Sequence, residues 1–274
     1  MHPVIFSFGK INIYSFGLMM GISFIIGNWL IAKEFKRRKI NTDFASNITL
    51  IALVAGVSGS KILYLLENWS EFIQDPLGMA FSPGGLTFYG GFILATASVY
   101  FYSKKIKIPF MRIADAAVPA LMLAYGIARI GCHLAGDGDY GFPTTLPWGT
   151  DYSKGTYPPM YAFKDFPEIV QKYGVNGIVP NNIPCHPTPV YEFLICSLFF
   201  VVLWKNKERF QHQEGKLFAL YLLLAGIERF SVEFLRLNPR FLFGLSEAQI
   251  IAVILILIGA VSLNSFNRVE KIQS

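Results

Sequence analysis

Arg129, His133, Asp137 and Asp139 stand close together in "IARIGCHLAGDGDYG", residues 127–141, interleaved with glycines. Arg229, Glu233 and Arg236 form a second group in "GIERFSVEFLR", residues 226–236, spaced i, i+4, i+7 so that a helix sets them on one stripe. Guanidinium forks match the oxygens of a phosphate or carboxylate, and a neighbouring imidazole or carboxylate can carry a proton. Anion binding joined to proton transfer is the chemistry these residue types offer.

The elements that must hold them are apolar. Hydrophobic residues make up 53% of the 274 and charged ones 15%, with a positive mean hydropathy, a balance that excludes an ordinary soluble domain. Crossing roughly 30 Å of hydrocarbon as helix takes about 18 or more apolar residues. Seven segments qualify: 11–32, 44–66, 84–102, 112–135, 187–204, 217–235 and 247–265. The first is too long for the apolar part of a signal peptide, has its basic cluster after it and lacks a small-residue cleavage site, so it is expected to stay in the protein. "KEFKRRK" (33–39) follows the first span, "KKIK" (104–107) with Arg112 the third, and Lys205, Lys207, Arg209 and Lys216 the fifth, whereas 67–83 holds neither Lys nor Arg. The bias of basic residues to inner loops then puts the N-terminus outside and the C-terminus in the cytoplasm. On that topology 15 of the 24 Lys and Arg residues, Arg268 and Lys271 among them, lie inside. The net charge of +6 is thus a topology signal and not a nucleic-acid footprint.

The expected architecture is an all-α integral membrane protein of about seven transmembrane helices. Residues 1–274 read as a single polytopic domain without internal repeats, with one long outer excursion at 136–186. Its prolines, Trp148 and tyrosines mark it as ordered chain hugging the interface. Lys61, Asp115, Arg129, Glu192, Glu228, Arg229 and Glu233 fall inside the spans, where a charge persists only if it is paired or lines a polar cavity. Glu233 pairs with Arg229 along its helix, yet Arg129, Arg229 and Lys61 leave an excess of positive charge. Such cations suit an anion at membrane depth, most simply a phospholipid headgroup; the competing reading has each arginine snorkel or pair with a carboxylate.

"SPGGLTFYGG" (82–91) and "GDGDYG" (136–141) sit at the expected outer ends of spans three and four. Irregular backbone there must face protein or a polar cavity, although small residues also simply permit tight helix packing. Cysteines 132, 185 and 196 are odd in number and form no CxxC, so they define no disulfide framework, and Cys196 reads as a small packing residue. Cys132-His133 and Cys185-His186 offer four zinc-capable side chains, but neighbours on a helix diverge by about 100°. No metal and no cofactor is assigned.

Nearly the whole chain resembles the prolipoprotein diacylglyceryl transferase family. "HPVIFSFGKINIYSFGLMMG" resembles the family's start, "GGLTFYGG" its glycine motif at the third span, and "ARIGCHLAGDGDYG" its Gly-Arg-Ile-Gly-Asn signature. "HPTPVYE" (186–192) is similar to the family's His-Pro-Ser-Gln-x-Tyr-Glu, and "ERFSVEFLR" to its Arg-Phe-x-x-Glu-Phe-x-Arg. The resemblance implies a multi-pass enzyme of the bacterial cytoplasmic membrane, surrounded by membrane lipids. In the implied reaction a lipobox cysteine thiol of a prolipoprotein signal peptide attacks the glyceryl C3 of phosphatidylglycerol and expels glycerol 1-phosphate. Arg129 and Arg229 match the family's phosphate-handling arginines, with Glu233 orienting Arg229 and Arg236 as a further contact. Lys61, Tyr64, Gly90, Gly91, Asp137, Asp139, Gly141, His186 and Glu192 complete the implied substrate-binding set.

The sequence departs from the family pattern at the proton acceptor. Tyr89 stands in "FYGG" where many members have histidine, and a phenol with pKa near ~10 is a poor base unless cations such as Arg129 or Lys61 depress it. Cys132 replaces the signature's asparagine, Phe16 replaces a tyrosine, and "AGDGDYG" is one residue longer than the family's acidic motif, so either Asp137 or Asp139 matches it. The base is thus open between Tyr89 and His133, with Tyr89 read as a positional hydrogen-bond donor to the headgroup. Two other functions fit intramembrane arginines. A transporter of an anionic metabolite would show repeated halves, and a metal-dependent membrane hydrolase would use the two Cys-His pairs.

Overall fold

A helix stands in each of the seven predicted segments of the computed structural model, which describes residues 1–9, 11–82 and 84–273, with backbone alone at 11 and 269–273. Pro83 of the glycine-rich stretch and the side chain of Lys271 therefore lie outside the described residues. The long helices are α1 (Ser15–Arg37), α2 (Asp43–Glu67), α3 (Phe88–Lys105), α4 (Phe110–Ala135), α5 (Thr188–Asn206), α6 (Lys216–Val232) and α7 (Glu247–Gln273). Five of them, α1, α2, α4, α5 and α7, are long and apolar enough to cross a membrane, whereas α3 and α6 are shorter, at 18 and 17 residues. Ile25, Leu50, Val54, Val57, Leu257 and Val261 point outward on these helices. Water would penalise that apolar surface and lipid does not, so the molecule is a multi-pass membrane protein.

Two predicted boundaries move. The start of the first span is strand: Val4–Phe8 (β1) and Ile11–Tyr14 (β2) pair antiparallel, with Phe6 opposite Ile13 and Phe8 opposite Ile11. Aromatic and β-branched residues favour this pairing, and the helix begins only at Ser15, whose N–H donates to the Pro3 carbonyl at 2.9 Å. The sixth segment ends early. Beyond Val232 the backbone tightens into a 3-10 turn at Glu233–Leu235, and Arg236 is extended. The Glu233 carboxylate accepts from Asn238 Nδ2 at 2.6 Å and Ser246 Oγ at 2.7 Å, which folds the following chain back towards the turn. Arg229, Glu233 and Arg236 are therefore not one α-helical stripe.

The chain forms two compact units, residues 28–117 and residues 1–27 with 118–274, the division falling within α1 and α4. In the 28–117 unit α2 and α3 pack through Gly59 and Gly90, where a Cβ on either would overlap the other's carbonyl oxygen. The second unit packs α6 on α7, with Gly226 against Ala252 and Gly259 against Leu223. Val118, Met122, Cys196, Leu203 and Leu217 form a hydrophobic core between its helices.

The 136–186 excursion belongs to this second unit and is ordered by a core of its own. Tyr140, Tyr152, Phe163, Ile169, Val179 and Cys185 are buried together, and Tyr140 stacks on Tyr152 with ring centroids 4.2 Å apart. A short antiparallel pair, Thr150–Asp151 (β3) with Pro184–Cys185 (β4), closes it. Gly141 bridges to Arg236, and the Phe142 N–H donates to the Leu235 carbonyl at 3.1 Å, so the excursion is stitched to the end of α6.

Candidate active site

Glu192, one turn into α5, has no exposed surface, and three guanidinium groups and a phenol converge on it. From α4, Arg129 Nε lies 3.3 Å from Glu192 Oε2, and Tyr125, one turn earlier, donates its hydroxyl to Oε1 at 3.2 Å. Arg129 Nη2 donates in turn to that hydroxyl at 3.0 Å. From α6, Arg229 Nη1 reaches Oε1 at 3.5 Å while Nη2 lies 3.0 Å from Glu233 Oε2. Arg236 Nη1 donates to both Glu192 oxygens at 3.3 and 3.4 Å. A second carboxylate, Asp139, is shared by Arg129 and Arg236, one on each oxygen. A carboxylate withdrawn from water is costly unless opposite charge surrounds it, and three arginines do so here.

The excess of positive charge expected from the spans is therefore compensated. Arg129, Arg229 and Arg236 meet Glu192, Glu233 and Asp139, the last supplied by the loop after α4. The arginines are not equivalent. Arg236 is 8% exposed and Arg129 18%, whereas Arg229 is 24% exposed and has the longest bond to Glu192. Arg229 is the member with most freedom to turn towards an incoming anion.

The loop that supplies Asp139 depends on left-handed backbone at Gly136 (φ +59) and Gly138 (φ +91). A Cβ at Gly136 would also press within 2.7 Å of Gly155. Thr188 at the start of α5 donates its hydroxyl to the Asp139 carbonyl at 2.6 Å and fixes the loop's far side. Burial opposes ionisation of Asp139, but Arg236 and then Arg129 outweigh it and hold the carboxyl below the usual range. Asp137 is exposed; it accepts a long 3.4 Å bond from the Asp139 N–H and is hydrogen-bonded to the Cys132 side chain. Cys132 Sγ and oxygens of Asp137 and Asp139 lie within 4.8 Å of one another, the one group so close among the described residues with three potential donors to a metal. It omits His133, Cys185 and His186, and the two guanidinium groups on Asp139 oppose a cation there.

The remaining predicted residues have other employments. His133 Nδ1 is 3.0 Å from the Tyr152 hydroxyl, linking α4 to the core of the 136–186 excursion. His186 Nδ1 is 3.3 Å from the Tyr191 hydroxyl, which accepts from Trp148 Nε1 at 2.8 Å, and burial lowers the pKa of His186. Gly141 permits close passage of the chain, since a Cβ there would strike the Leu235 carbonyl. Lys61, Tyr64, Tyr89, Gly90 and Gly91 belong to the 28–117 unit. There Lys61 Nζ donates to Ser82 O at 3.0 Å, Ser82 Oγ at 2.8 Å and Gly84 O at 2.8 Å, so the glycine-rich loop takes all three of its protons. Gly85 lies against the ring of Tyr64, Gly91 against Ser60 and Gly56, and Tyr89 is partly exposed with an edge-to-face contact to Phe88. Tyr125, Thr188, Asn238 and Ser246 also serve the cluster, and sequence spacing alone does not mark them. Only Tyr125, one helical turn before Arg129, carries a local signal.

A family model described as prolipoprotein diacylglyceryl transferase matches residues 3–264. The chain belongs to that family. A Clostridium tetani protein named phosphatidylglycerol–prolipoprotein diacylglyceryl transferase is 32% identical over 261 residues, covering 94% of this chain and 95% of the relative. A Clostridium perfringens protein of the same name, numbered 2, is 33% identical over 265 residues, with 95% and 93% covered. A Leptospira interrogans relative, also so named, is 28% identical over 297 residues, with 90% and 86% covered. The protein is a transferase of lipoprotein biosynthesis, and the arginine–carboxylate cluster lies within the matched region.

Proposed function

We propose that this enzyme transfers the diacylglyceryl group of phosphatidylglycerol to the lipobox cysteine of a prolipoprotein. The names of the relatives support both substrates. The sulfur forms a bond to glyceryl C3, the C3–O bond breaks, and glycerol 1-phosphate leaves with the bonding electrons on its phosphate oxygen. Charge grows on that phosphate in the transition state, so groups that bind it more strongly as it develops accelerate the step. The observation that carries the reading is the convergence of Arg129, Arg229 and Arg236 on Glu192 and Asp139.

Arg229 and Arg129 turn donors to the phosphate, Glu233 orients Arg229, and Glu192 with Arg236 holds the assembly in register. Gly141 lets the outer excursion approach this assembly closely. His133 and His186 fix that excursion. Lys61, Tyr64, Gly90 and Gly91 shape the glycine-rich loop of the 28–117 unit, where Tyr89 offers its hydroxyl as a hydrogen-bond donor to lipid. The seven helices span the bacterial cytoplasmic membrane as one polytopic domain, N-terminus and excursion outside, C-terminus inside, in keeping with the Lys and Arg bias of the loops.

The test is incubation of purified protein with phosphatidylglycerol and a lipobox peptide, with a serine-for-cysteine peptide as control. A diacylglyceryl thioether on the cysteine peptide alone is expected, at a rate indifferent to strong chelators. Absence of thioether, or a chelator-sensitive lipid hydrolysis restored by zinc, would replace this reading with the metal-dependent hydrolase.

A further inference from the structure

Asp137 and Asp139 are neighbours with divergent surroundings. Their carboxylates lie within 4.8 Å of each other, yet Asp139 is fixed between two guanidinium groups while Asp137 is exposed. Asp137 opens onto a cleft of about 430 Å³ between the β1–β2 hairpin, the start of α1 and the end of α4. Pro3, Tyr14, Phe16, Gly17, Ala135 and Thr156 line the rest, and among the described residues Asp137 is its only carboxylate. That lining suits small apolar side chains of an extended peptide. A thiol is already in contact range of Asp137, since Cys132 Sγ belongs to the same 4.8 Å group.

We propose that Asp137 is the general base that removes the proton from the attacking cysteine thiol, which the peptide substrate brings in through this cleft. The inference rests on the transferase reading above. The S–H proton passes to an Asp137 oxygen, and the sulfur's electron pair forms the bond to glyceryl C3. The C3–O electrons move onto the phosphate at the arginines, and Asp137 later gives its proton to water. The acceptor thus stands one carboxylate away from the clamp, because Asp139 bridges Arg129 and Arg236.

The surrounding charges favour this assignment. Facing Asp137 are Cys132 and Arg129 from α4, Asp139 from its own loop, and Tyr140 and Tyr152 from the core of the 136–186 excursion. Partial withdrawal from water, followed by the like charge of Asp139, raises the Asp137 carboxyl above the usual range, while Asp139 is held below it. Two carboxyls pushed apart in this way divide the labour: one remains an anion and the other exchanges protons. A raised carboxyl is also closer in affinity to a thiol of pKa near ~8.5, which eases the transfer. Tyr89 then need not act as an acceptor.

The experiment uses the full-length enzyme with phosphatidylglycerol and two lipobox peptides, one carrying cysteine and one selenocysteine, whose selenol is already ionised at neutral pH. With the cysteine peptide, Asp137→Asn is expected to lower kcat on the order of 10²- to 10³-fold with KM for phosphatidylglycerol unchanged, and Asp137→Glu to recover much of the rate. The wild-type rate rises with pH through the ionisation of Asp137 and then levels, whereas the Asp137→Asn rate keeps rising towards the thiol's own pKa. The selenocysteine peptide should restore Asp137→Asn to near the wild-type rate. An Asp137→Asn enzyme with wild-type rate and pH profile overturns the proposal, as does one equally slow with both peptides, which marks a structural loss. Wild-type enzyme inactive on both peptides overturns the transferase reading itself.

Discussion

Two arginine–carboxylate clusters, one in each unit, are built on opposite plans. At the end of α1, buried Glu34 is paired with Arg37, whose Nε donates at 3.0 Å, and with Arg38, whose Nε donates at 2.9 Å, three and four residues on. Arg112 adds a 3.3 Å bond to the Arg38 carbonyl. This cluster forms as soon as the helix does. The cluster on Glu192 gathers Arg129, Arg229 and Arg236 from three elements, with Asp139 from a fourth. Local pairs complete a helix end, where cationic side chains also oppose the helix dipole. The long-range cluster brings three cations from separate elements around one carboxylate, which is the arrangement an anionic leaving group requires.

The sharpest way to break the contrast is Arg229→Ala, which removes the most exposed cation of the long-range cluster. Thioether formation should fall on the order of a hundredfold or more in a protein that remains folded and inserted, measured as kcat/KM with the lipobox peptide. Turnover within a few-fold of wild type would contradict the phosphate role. Glu192→Ala strikes the hub instead, leaving three arginines short of a partner. A loss of about 3–5 kcal/mol is expected from denaturant or thermal unfolding in detergent, together with loss of transfer.

A smaller effect separates the two clusters by pH. The Asp139 carboxyl is held below its ordinary pKa of about 3.9, so its stabilisation is complete above that value and is lost as pH falls through the lowered one. Asp139→Asn should flatten the acid end of the unfolding-midpoint curve; an unchanged acid limb would show that its arginine pairs add nothing. The smallest change is predicted for Arg37→Ala. Arg38 still holds Glu34, so stability should shift by about 1 kcal/mol or less and transfer should be unaffected, and a large activity loss would erase the distinction between the clusters.

Sequence made the local half of this legible. Each of the seven apolar segments holds a helix, and the i, i+4 spacing of Arg229 and Glu233 is a real ion pair. What escaped it depends on contacts between distant positions. Arg129, Glu192 and Arg236 span 108 positions in the chain, and no spacing rule tells that their charges cancel. Lys61 read as a free cation because its acceptors, Ser82 and Gly84, are loop atoms more than 20 residues on. The hairpin at 4–14 merged with the first apolar run because aromatic and β-branched residues serve strand and span alike. Asp137 and Asp139 were indistinguishable as letters. Their difference arises from Arg236, 97 residues beyond Asp139.

The stitch between Gly141 and Arg236 has a consequence in time. A ribosome adding about 5–20 residues per second delivers Arg236 roughly 5–20 seconds after Gly141. Throughout that interval the bridge partner of Gly141 and the second guanidinium on Asp139 do not yet exist. The nascent molecule thus carries Arg129 and Asp139 as an open pair and becomes competent only when its sixth helix is threaded. Ser246, which holds Glu233, and the seventh helix follow still later, so the clamp closes only near the end of synthesis.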